Sequence, residues 1–349
     1  MNQEKDVTIY DIAKVLNISA ATVSRGLKDH PGISKATKKK IFDAAKDMGY
    51  RFNAFASNLR RQRTNTIGVI VPRLNSSFMS DVIAGMEKVA NGQGYNLIIS
   101  QSLETVKKEI DNATTMFNSR VDGLLVSLAY DTKNISHFEQ FINKGVPVIF
   151  FDRVFEHKKC PNILIDNYKA GYEAVNHLIE QGCKRIANIT GNQLRNVYSE
   201  RFRGYRDALR DHGLPFDDEL LIINNLSREE GAEAAELILA MKHRPDGLFI
   251  ANDSCAVSCM LALKQKGINI PKDIAVVGFN NDPMSQVVDP NLTTIDYHGE
   301  EMGELAAKIL ISHLNNDQDL TLTHTLIQRH ELIVRQSSLK NSEHEKSTL

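Results

Sequence analysis

The segment Ser19-Ala-Ala-Thr-Val-Ser-Arg25 combines short side chains with one long, forked hydrogen-bond donor. Arg25 is able to donate two parallel hydrogen bonds to the O6 and N7 atoms of a guanine, a contact worth about 1–3 kcal/mol of base discrimination. Thr22 is suited to contact a base edge or a thymine methyl group. Short side chains at the start of a helix let the backbone approach a groove. The spacing is therefore typical of a helix that reads DNA bases.

Three short helices are predicted to position these side chains. Thr8 is a favourable N-cap, and apolar residues follow it at helical spacing as far as residue 16. Ser19 caps a second helix after a break of about three residues, which describes a helix-turn-helix. Ser34 caps a third helix over residues 35–48, and Gly49 ends it. Its polar side carries four lysines, Lys35, Lys38, Lys39 and Lys40.

The charge of the chain is divided unevenly. Residues 1–63 carry a net charge of +7, and the remainder carries −8, although the whole chain has −1. A basic segment joined to an acidic body suggests that this segment alone meets a polyanion. The charge by itself leaves open the alternative of a solvated, lysine-rich helix surface.

The motifs Thr8-Ile-Tyr-Asp-Ile-Ala-Lys14 and Ile18-Ser-Ala-Ala-Thr-Val-Ser-Arg25 resemble the DNA-binding head of the LacI (lactose repressor) family of bacterial transcription regulators. The resemblance implies a pseudo-palindromic operator in double-stranded DNA as partner. The family usually has larger or polar base-reading residues where this chain has two alanines, so apolar contacts are expected there. The resemblance implies DNA contacts at Thr8, Tyr10, Ser19, Ala20, Ala21, Thr22, Ser24 and Arg25, with Tyr10, Ser19 and Ser24 as candidates for phosphate oxygens.

The segment Asn53-Ala-Phe-Ala-Ser-Asn-Leu59 resembles the hinge helix of the same family. The resemblance implies that Leu59 wedges into a base step from the minor groove and that Ala56 lies where two hinges meet. Asn53 begins this segment. The family's usual proline and arginine are Phe52 and Ser57 here, so weaker minor-groove contacts are expected. A plain linker is the alternative.

From Thr66 onward, apolar runs of strand length alternate with amphipathic helices. The alternation predicts an α/β body of two Rossmann-like subdomains, each with a parallel sheet covered on both faces. Ligands of such sheets bind at the carboxyl ends of the strands. The first series of predicted elements is 67–71, 80–93, 97–99, 107–119, 123–126, 135–144 and 146–151. The second series is 168–181, 185–189, 200–212, 221–223, 228–241, 247–251, 253–266 and 275–278.

The resemblance continues to about Ser337 and implies a periplasmic-binding-protein-like sensor whose effector lies between the subdomains. Asp152 is suited to accept two neighbouring hydroxyl groups, and Arg201 matches an arginine that clamps the ligand from the second subdomain. Asn280 and Tyr297 replace the family's usual Asp and Gln. A sugar or sugar derivative is the expected effector, and a purine or other corepressor is the alternative. The implied contacts are Ser76, Phe78, Asp152, Arg153, Arg201, Asn252, Asn280 and Tyr297.

Several function classes lack a signal in the sequence. No phosphate-binding glycine motif follows the first strand, and no nucleophile, zinc or HExxH spacing is present. No enzyme activity, cofactor or metal is therefore expected. A binding protein with an incidental head and an enzyme on a Rossmann-like fold are the rival hypotheses. No signal peptide or membrane span is recognised, so a cytoplasmic, nucleoid-associated location is expected.

The domain organisation follows from these elements. We expect a DNA-binding domain at 1–52, a hinge and linker at 53–64, an effector-binding and dimerisation domain at 65–338, and a polar tail at 339–349. The N-subdomain is expected at about 65–164 and 295–325, and the C-subdomain at about 165–294 and 326–338. A homodimer is expected because a hinge wedge acts in pairs. The helices predicted at 80–93 and 300–314 are the candidate interface.

Overall fold

The computed structural model describes residues 7–50, 63–316 and 325–340 of the 349-residue chain. The chain divides into two compact units, a head that ends at Thr64 and a body that begins at Asn65. The predicted fold class is confirmed in both: the head is a bundle of short helices, and the body is α/β with two mainly parallel sheets. The hinge residues Asn53, Ala56 and Leu59 lie outside the described residues.

The head consists of α1 (Ile9–Leu16), α2 (Ala20–Leu27) and α3 (Lys35–Asp47). Thr8 caps α1, and the side chain of Asp11 accepts hydrogen bonds from the amide and hydroxyl of Thr8. The side chains of Ser19 and Ser34 accept backbone hydrogen bonds at the starts of α2 and α3, as the sequence predicts. One fully buried residue from each helix forms the centre of the core, Ile12, Val23 and Ile41.

The first lobe of the body is built on a parallel six-stranded sheet with the order β11-β5-β4-β3-β1-β2. Its strands are β1 (Thr66–Val71), β2 (Asn96–Gln101), β3 (Gly123–Val126), β4 (Val148–Phe151), β5 (Asn162–Ile165) and β11 (Thr325–Gln328). Its helices are α4 (Ser77–Gly92), α5 (Val106–Asn118), α6 (Glu139–Asn143) and α12 (Gly299–Leu314). Helices α4 and α12 pack against each other.

The second lobe repeats this plan with the strand order β12-β10-β9-β8-β6-β7, in which only β12 runs antiparallel, to β10. Its strands are β6 (Ile186–Thr190), β7 (Leu221–Ile223), β8 (Gly247–Ile250), β9 (Ala275–Phe279), β10 (Thr293–Asp296) and β12 (Glu331–Ile333). Its helices are α7 (Asn167–Glu180), α8 (Asn196–Asp211), α9 (Arg228–Ala240), α10 (Asp253–Gln265) and α11 (Met284–Val287). Helices α7 and α8 pack against each other.

The structure differs from the predicted elements mainly where a start signal is weak. Helix α8 begins at Asn196, four residues before the predicted 200. Arg195 precedes it without a side-chain cap, so no capping residue in the sequence marks this start. The predicted helix 135–144 is a 3₁₀ turn followed by the short α6. Strands β5, β10, β11 and β12 were not among the predicted elements, and each contains only three or four residues.

The chain crosses between the lobes three times. It leaves the first lobe after β5, returns after β10, and leaves again after β11. Strand β10 (Thr293–Asp296) pairs within the second sheet, and β11 (Thr325–Gln328) within the first. The last two crossings therefore fall slightly later than the expected boundaries at about 295 and 326.

Gly204 lies where α8 packs closely against α7. A Cβ atom on Gly204 would lie 2.2 Å from the carbonyl oxygen of Tyr168, a backbone atom that cannot turn away. We expect Gly204→Ala to lower the free energy of unfolding by about 1–3 kcal/mol, because it overpacks this contact. Urea unfolding measures the change. The control is Gly92→Ala, whose added Cβ meets no atom within 4 Å, and equal stability of the two variants would contradict the prediction.

Candidate functional site

The exposed face of α2 carries the predicted base-reading side chains. Arg25 and Ala21 are exposed, and Thr22 and Ser24 are half-buried. The hydroxyl of Thr22 lies 2.8 Å from that of Ser19, whose oxygen also accepts the Thr22 amide at 3.1 Å. The hydroxyl of Ser19 is therefore used in the helix cap, a role that was predicted alongside its phosphate contact.

The remaining predicted DNA contacts of the head differ in exposure. Tyr10 is 69% exposed on α1 and is free to reach a phosphate. Thr8 donates its hydroxyl hydrogen to Asp11 at 2.7 Å, which fixes it in the capping box. Ala20 packs partly against the head core, so it presents less surface than its neighbour Ala21.

The body contains a cleft of about 530 Å³, and all eight predicted effector contacts line it. Its wall is formed by the segments that follow strands of both sheets, together with the start of α4 and the first turns of α8. The first lobe contributes Ser76, Phe78, Asp152 and Arg153, and the second contributes Arg201, Asn252, Asn280 and Tyr297. The carboxyl-end rule thus brings together side chains that are up to 221 positions apart in the chain.

Asp152 is buried directly after β4, and its backbone has a positive φ of 57°. Burial raises the pKa of its carboxyl group, and the nearby Arg153 and Arg201 oppose this increase. The hydroxyl of Ser127 donates a long hydrogen bond of 3.5 Å to Oδ2. Apart from this long hydrogen bond, no described residue donates to the carboxyl group, which therefore has unoccupied acceptor positions at the cleft.

Arg201 is held rigidly in the second lobe. Its Nε donates to Asn167 Oδ1 at 2.9 Å and its Nη1 to the carbonyl oxygen of Ala251 at 3.2 Å. Its guanidinium carbon lies 3.4 Å from the ring centroid of Phe279. These contacts fix the plane of the guanidinium group, which prepares it to bind a ligand in one orientation.

Arg153, which the sequence predicts only as an effector contact, is hydrogen-bonded to side chains of the protein itself. Its Nη1 donates to Glu104 Oε2 at 2.7 Å, and its Nη2 donates to the hydroxyl of Tyr198 at 3.0 Å. The guanidinium carbon also lies 4.4 Å from the ring centroid of Tyr130. Because Tyr198 belongs to the second lobe, Arg153 bridges the lobes. Its predicted donation to a ligand stays a prediction.

An aromatic and amide cluster forms the opposite part of the wall. The rings of Phe78 and Tyr297 lie 4.3 Å apart between centroids. The hydroxyl of Tyr297 donates to Asn280 Oδ1 at 3.3 Å, and Asn252 Oδ1 accepts the amide of Cys255 at 3.1 Å. Both asparagines thus keep their amide hydrogens as donors. Ser76 caps α4 through the amide of Met79.

The sequence did not identify several cleft residues. Glu104 and Tyr130 follow β2 and β3, and Tyr198 lies on α8. The hydroxyl groups of Tyr130 and Tyr198 lie 3.1 Å apart and join the two lobes. For Glu104 and Tyr130, the position after a strand was the available signal, because the carboxyl-end rule applies to every parallel strand.

Within residues 7–50, 63–316 and 325–340, no three His, Cys, Asp or Glu side chains are grouped so that they could hold a metal ion. None of the helices described there has the length and apolar character required to cross a membrane.

A helix-turn-helix head followed by a two-lobed body with an interlobe cleft defines a class of ligand-responsive DNA-binding proteins. The model of the bacterial regulatory proteins of the lacI family matches residues 8–53, and that of the periplasmic binding protein-like domain matches residues 175–338. The chain belongs to the LacI family. It is a DNA-binding transcription regulator with a site for a small-molecule effector.

Individual relatives match over nearly the whole length. Catabolite control protein A of Priestia megaterium is 30% identical, over 95% of this chain and 99% of its own. The transcriptional regulator RegA of Clostridium saccharobutylicum is 32% identical, over 93% of this chain and 99% of its own. The solved lac repressor dimer, bound to operator and an anti-inducer, has a TM-score of 0.84 at 24% identity and covers 96% of this chain and 100% of its own. This last likeness concerns the fold.

Proposed function

We propose that the chain is a homodimeric repressor of carbohydrate-use genes that binds a pseudo-palindromic operator in the bacterial cytoplasm. A sugar or sugar derivative in the cleft changes the operator affinity. The observation that carries this proposal is the convergence of the eight predicted effector contacts on one cleft. Asp152 offers an acceptor, Arg201 a fixed donor, and Phe78 and Tyr297 an aromatic surface, which together suit a polyhydroxylated ring.

The dimer and its response to ligand follow from the two-lobed body. One head contacts too few base pairs for a specific site, so two heads are needed. Ligand contacts to both lobes favour one arrangement of the lobes over another. The coupling between sites is the difference in ligand affinity between the DNA-bound and free states, typically about 1–3 kcal/mol. We place the dimer contact on α4 and α12, which pack together on the first lobe.

The proposal is tested on an operator selected by the full-length protein from randomised DNA duplexes. Arg25→Ala is expected to lower the ratio of specific to non-specific affinity by about 1–3 kcal/mol, roughly 5- to 150-fold, because it removes the proposed bidentate contact with guanine. Fluorescence anisotropy at fixed salt measures both affinities. An unchanged ratio would remove Arg25 from base recognition.

The control is Lys46→Ala, which removes the same charge from an exposed position on α3. This variant is expected to weaken binding to all sequences by similar factors and to keep the ratio. Sugars that raise the melting temperature of the protein are then added to the operator complex. If none of them changes the operator affinity, the effector part of the proposal fails while DNA recognition stands.

A further inference from the structure

Asp282 is a carboxylate of the cleft wall that is not among the eight predicted effector contacts. The residue lines the cleft although it is only 6% exposed. The Oδ1 atom is buried and has no hydrogen-bond partner among the residues that the structure describes. A buried, incompletely paired carboxylate opposes folding. The group is therefore a candidate for recognition rather than for stability.

The surroundings of Asp282 are acidic. Burial raises the pKa of this carboxyl group to about 6, and the negative charge of Asp81 adds to the effect. Burial and the charge of Asp282 in turn raise the pKa of Asp253 to about 7. The ion pairs formed within the described ranges include none with Asp282. A cation next to Asp282 would therefore meet a carboxylate that has no ion-pair partner among the described residues.

The neighbouring Asp253, unlike Asp282, accepts a hydrogen bond at each of its two carboxylate oxygens. Its two oxygens accept the hydroxyl of Thr294 at 2.8 Å and the amide of Asp282 at 2.9 Å. Asp253 thus holds the loop after β9 in place. This loop fixes the position of Asp282 at the cleft, while the carboxyl group of Asp282 has no comparable set of partners.

The other polar groups on this part of the wall favour the same conclusion. The side-chain oxygens of Asn252 and Asn280 already accept hydrogen bonds from Cys255 and Tyr297, so their side-chain amide hydrogens are available as donors to a ligand. Asp282 is thus the strong acceptor beside two donors. Within the described ranges no group of three or more His, Cys, Asp or Glu side chains could hold a metal ion. The cleft of about 530 Å³ has room for a cation that is part of an organic ligand.

We propose that Asp282 binds a protonated amino group of the effector, which is therefore an amino sugar or a similar aminated polyol. The inference rests on the proposed sugar-responsive function and names the ligand class of that site. The hydroxyl groups of the ligand meet Asp152 and Arg201, and the amino group meets Asp282. Charge-assisted hydrogen bonds of this type are stronger than neutral ones.

Matched sugar pairs test the ligand class. Glucosamine, galactosamine and mannosamine are compared at pH 7 with glucose, galactose and mannose and with the three N-acetylated sugars, by calorimetry on the full-length protein. At least one amino sugar is expected to bind at least about tenfold more tightly than its neutral parent and its N-acetylated form. Equal or tighter binding of the neutral members, or no binding of any amine, would overturn the proposal.

Two isosteric variants test the residue. Asp282→Asn is expected to abolish the preference for the amine, whereas Glu229→Gln, which removes an exposed carboxylate of the same cleft, is expected to keep it. If the preference survives in Asp282→Asn or is lost in Glu229→Gln, Asp282 is not the recognition residue. Binding of the neutral parents serves as the internal reference for an intact cleft.

The ligand-free protein supplies a readout that a structural role would not give. At pH 8 the carboxyl group of Asp282 is negatively charged although it is buried, which destabilises the folded protein. Asp282→Asn removes this charge and is therefore expected to raise the melting temperature by roughly 2–4 °C. The gain shrinks as the pH falls through about 6, because the native carboxyl group then takes up a proton near Asp81 and Asp253. A lower melting temperature at pH 8 would identify a structural group instead. This measurement involves no DNA, so it fails or succeeds independently of the proposed function.

Discussion

Arg201→Met is expected to weaken effector binding by at least about 30-fold and to lower the free energy of unfolding by about 3 kcal/mol. Methionine keeps most of the side-chain volume but has no donor. Asn167 Oδ1 and the carbonyl oxygen of Ala251 would each lose a hydrogen bond in a buried site. Unsatisfied buried acceptors cost about 1–3 kcal/mol each, which gives the expected stability loss.

Electrostatics add to this effect because Arg201 opposes the burial-induced increase in the pKa of Asp152. Without Arg201, the carboxyl group of Asp152 takes up a proton more easily. A neutral Asp152 is a weaker acceptor for ligand hydroxyl groups. The substitution lies in the second lobe, but it also weakens the ligand contact made by Asp152 in the first lobe. Ligand affinity is measured by calorimetry with the sugar that stabilises the wild type most.

Arg203→Met is the matched control for this experiment. Its side chain is 52% exposed, pairs with Glu200 at 2.7 Å and lies over the ring of Tyr168. An exposed ion pair contributes about 0–1 kcal/mol, so this variant is expected to keep both stability and ligand affinity. Wild-type affinity in Arg201→Met would show that Arg201 only supports the fold.

The sequence predicted the head and the architecture of the body well because their signals are local. Thr8, Ser19 and Ser34 each precede an apolar helical pattern, and each caps a helix in the structure. Alternation of strands and helices requires parallel sheets, and parallel sheets align the carboxyl ends of their strands. The convergence of the predicted cleft residues follows from that geometry together with the family resemblance.

The parts that the sequence did not predict depend on contacts between distant segments. Strand β12 has three residues and forms because β10 offers it an edge. The contacts of Arg153 with Glu104 and Tyr198 join three elements, and no local pattern marks such a meeting. The raised pKa of Asp282 likewise depends on burial and on the charge of Asp81, which is far from Asp282 in the chain.

Glu109 on α5 illustrates the same dependence and leads to the second large effect. The residue is fully buried, and its carboxylate accepts the amide of Ala129 at 2.7 Å and the hydroxyl of Thr132 at 2.9 Å. His137 Nε2 lies 2.8 Å from the same carboxylate. One side chain thus fixes the segment that follows β3, and this segment carries Tyr130 to the cleft.

Glu109→Leu is expected to lower the free energy of unfolding by about 3 kcal/mol or more, because three donors lose their acceptor in a buried site. It is also expected to weaken effector binding, although Glu109 does not line the cleft. The reason is that the segment after β3 contacts the second lobe. The hydroxyl of Tyr130 is hydrogen-bonded to that of Tyr198, and the carbonyl oxygen of Thr132 accepts a hydrogen bond from Arg195.

Chemical unfolding and calorimetry with the stabilising sugar measure the two effects, and Asp111→Ala is the control. Asp111 is exposed on the same helix, so its removal is expected to change stability by less than about 0.5 kcal/mol. If Glu109→Leu loses stability but binds the sugar with wild-type affinity, the link from α5 to the cleft does not exist. If both fall together, the segment after β3 acts as the connection through which the first lobe holds the second around the ligand.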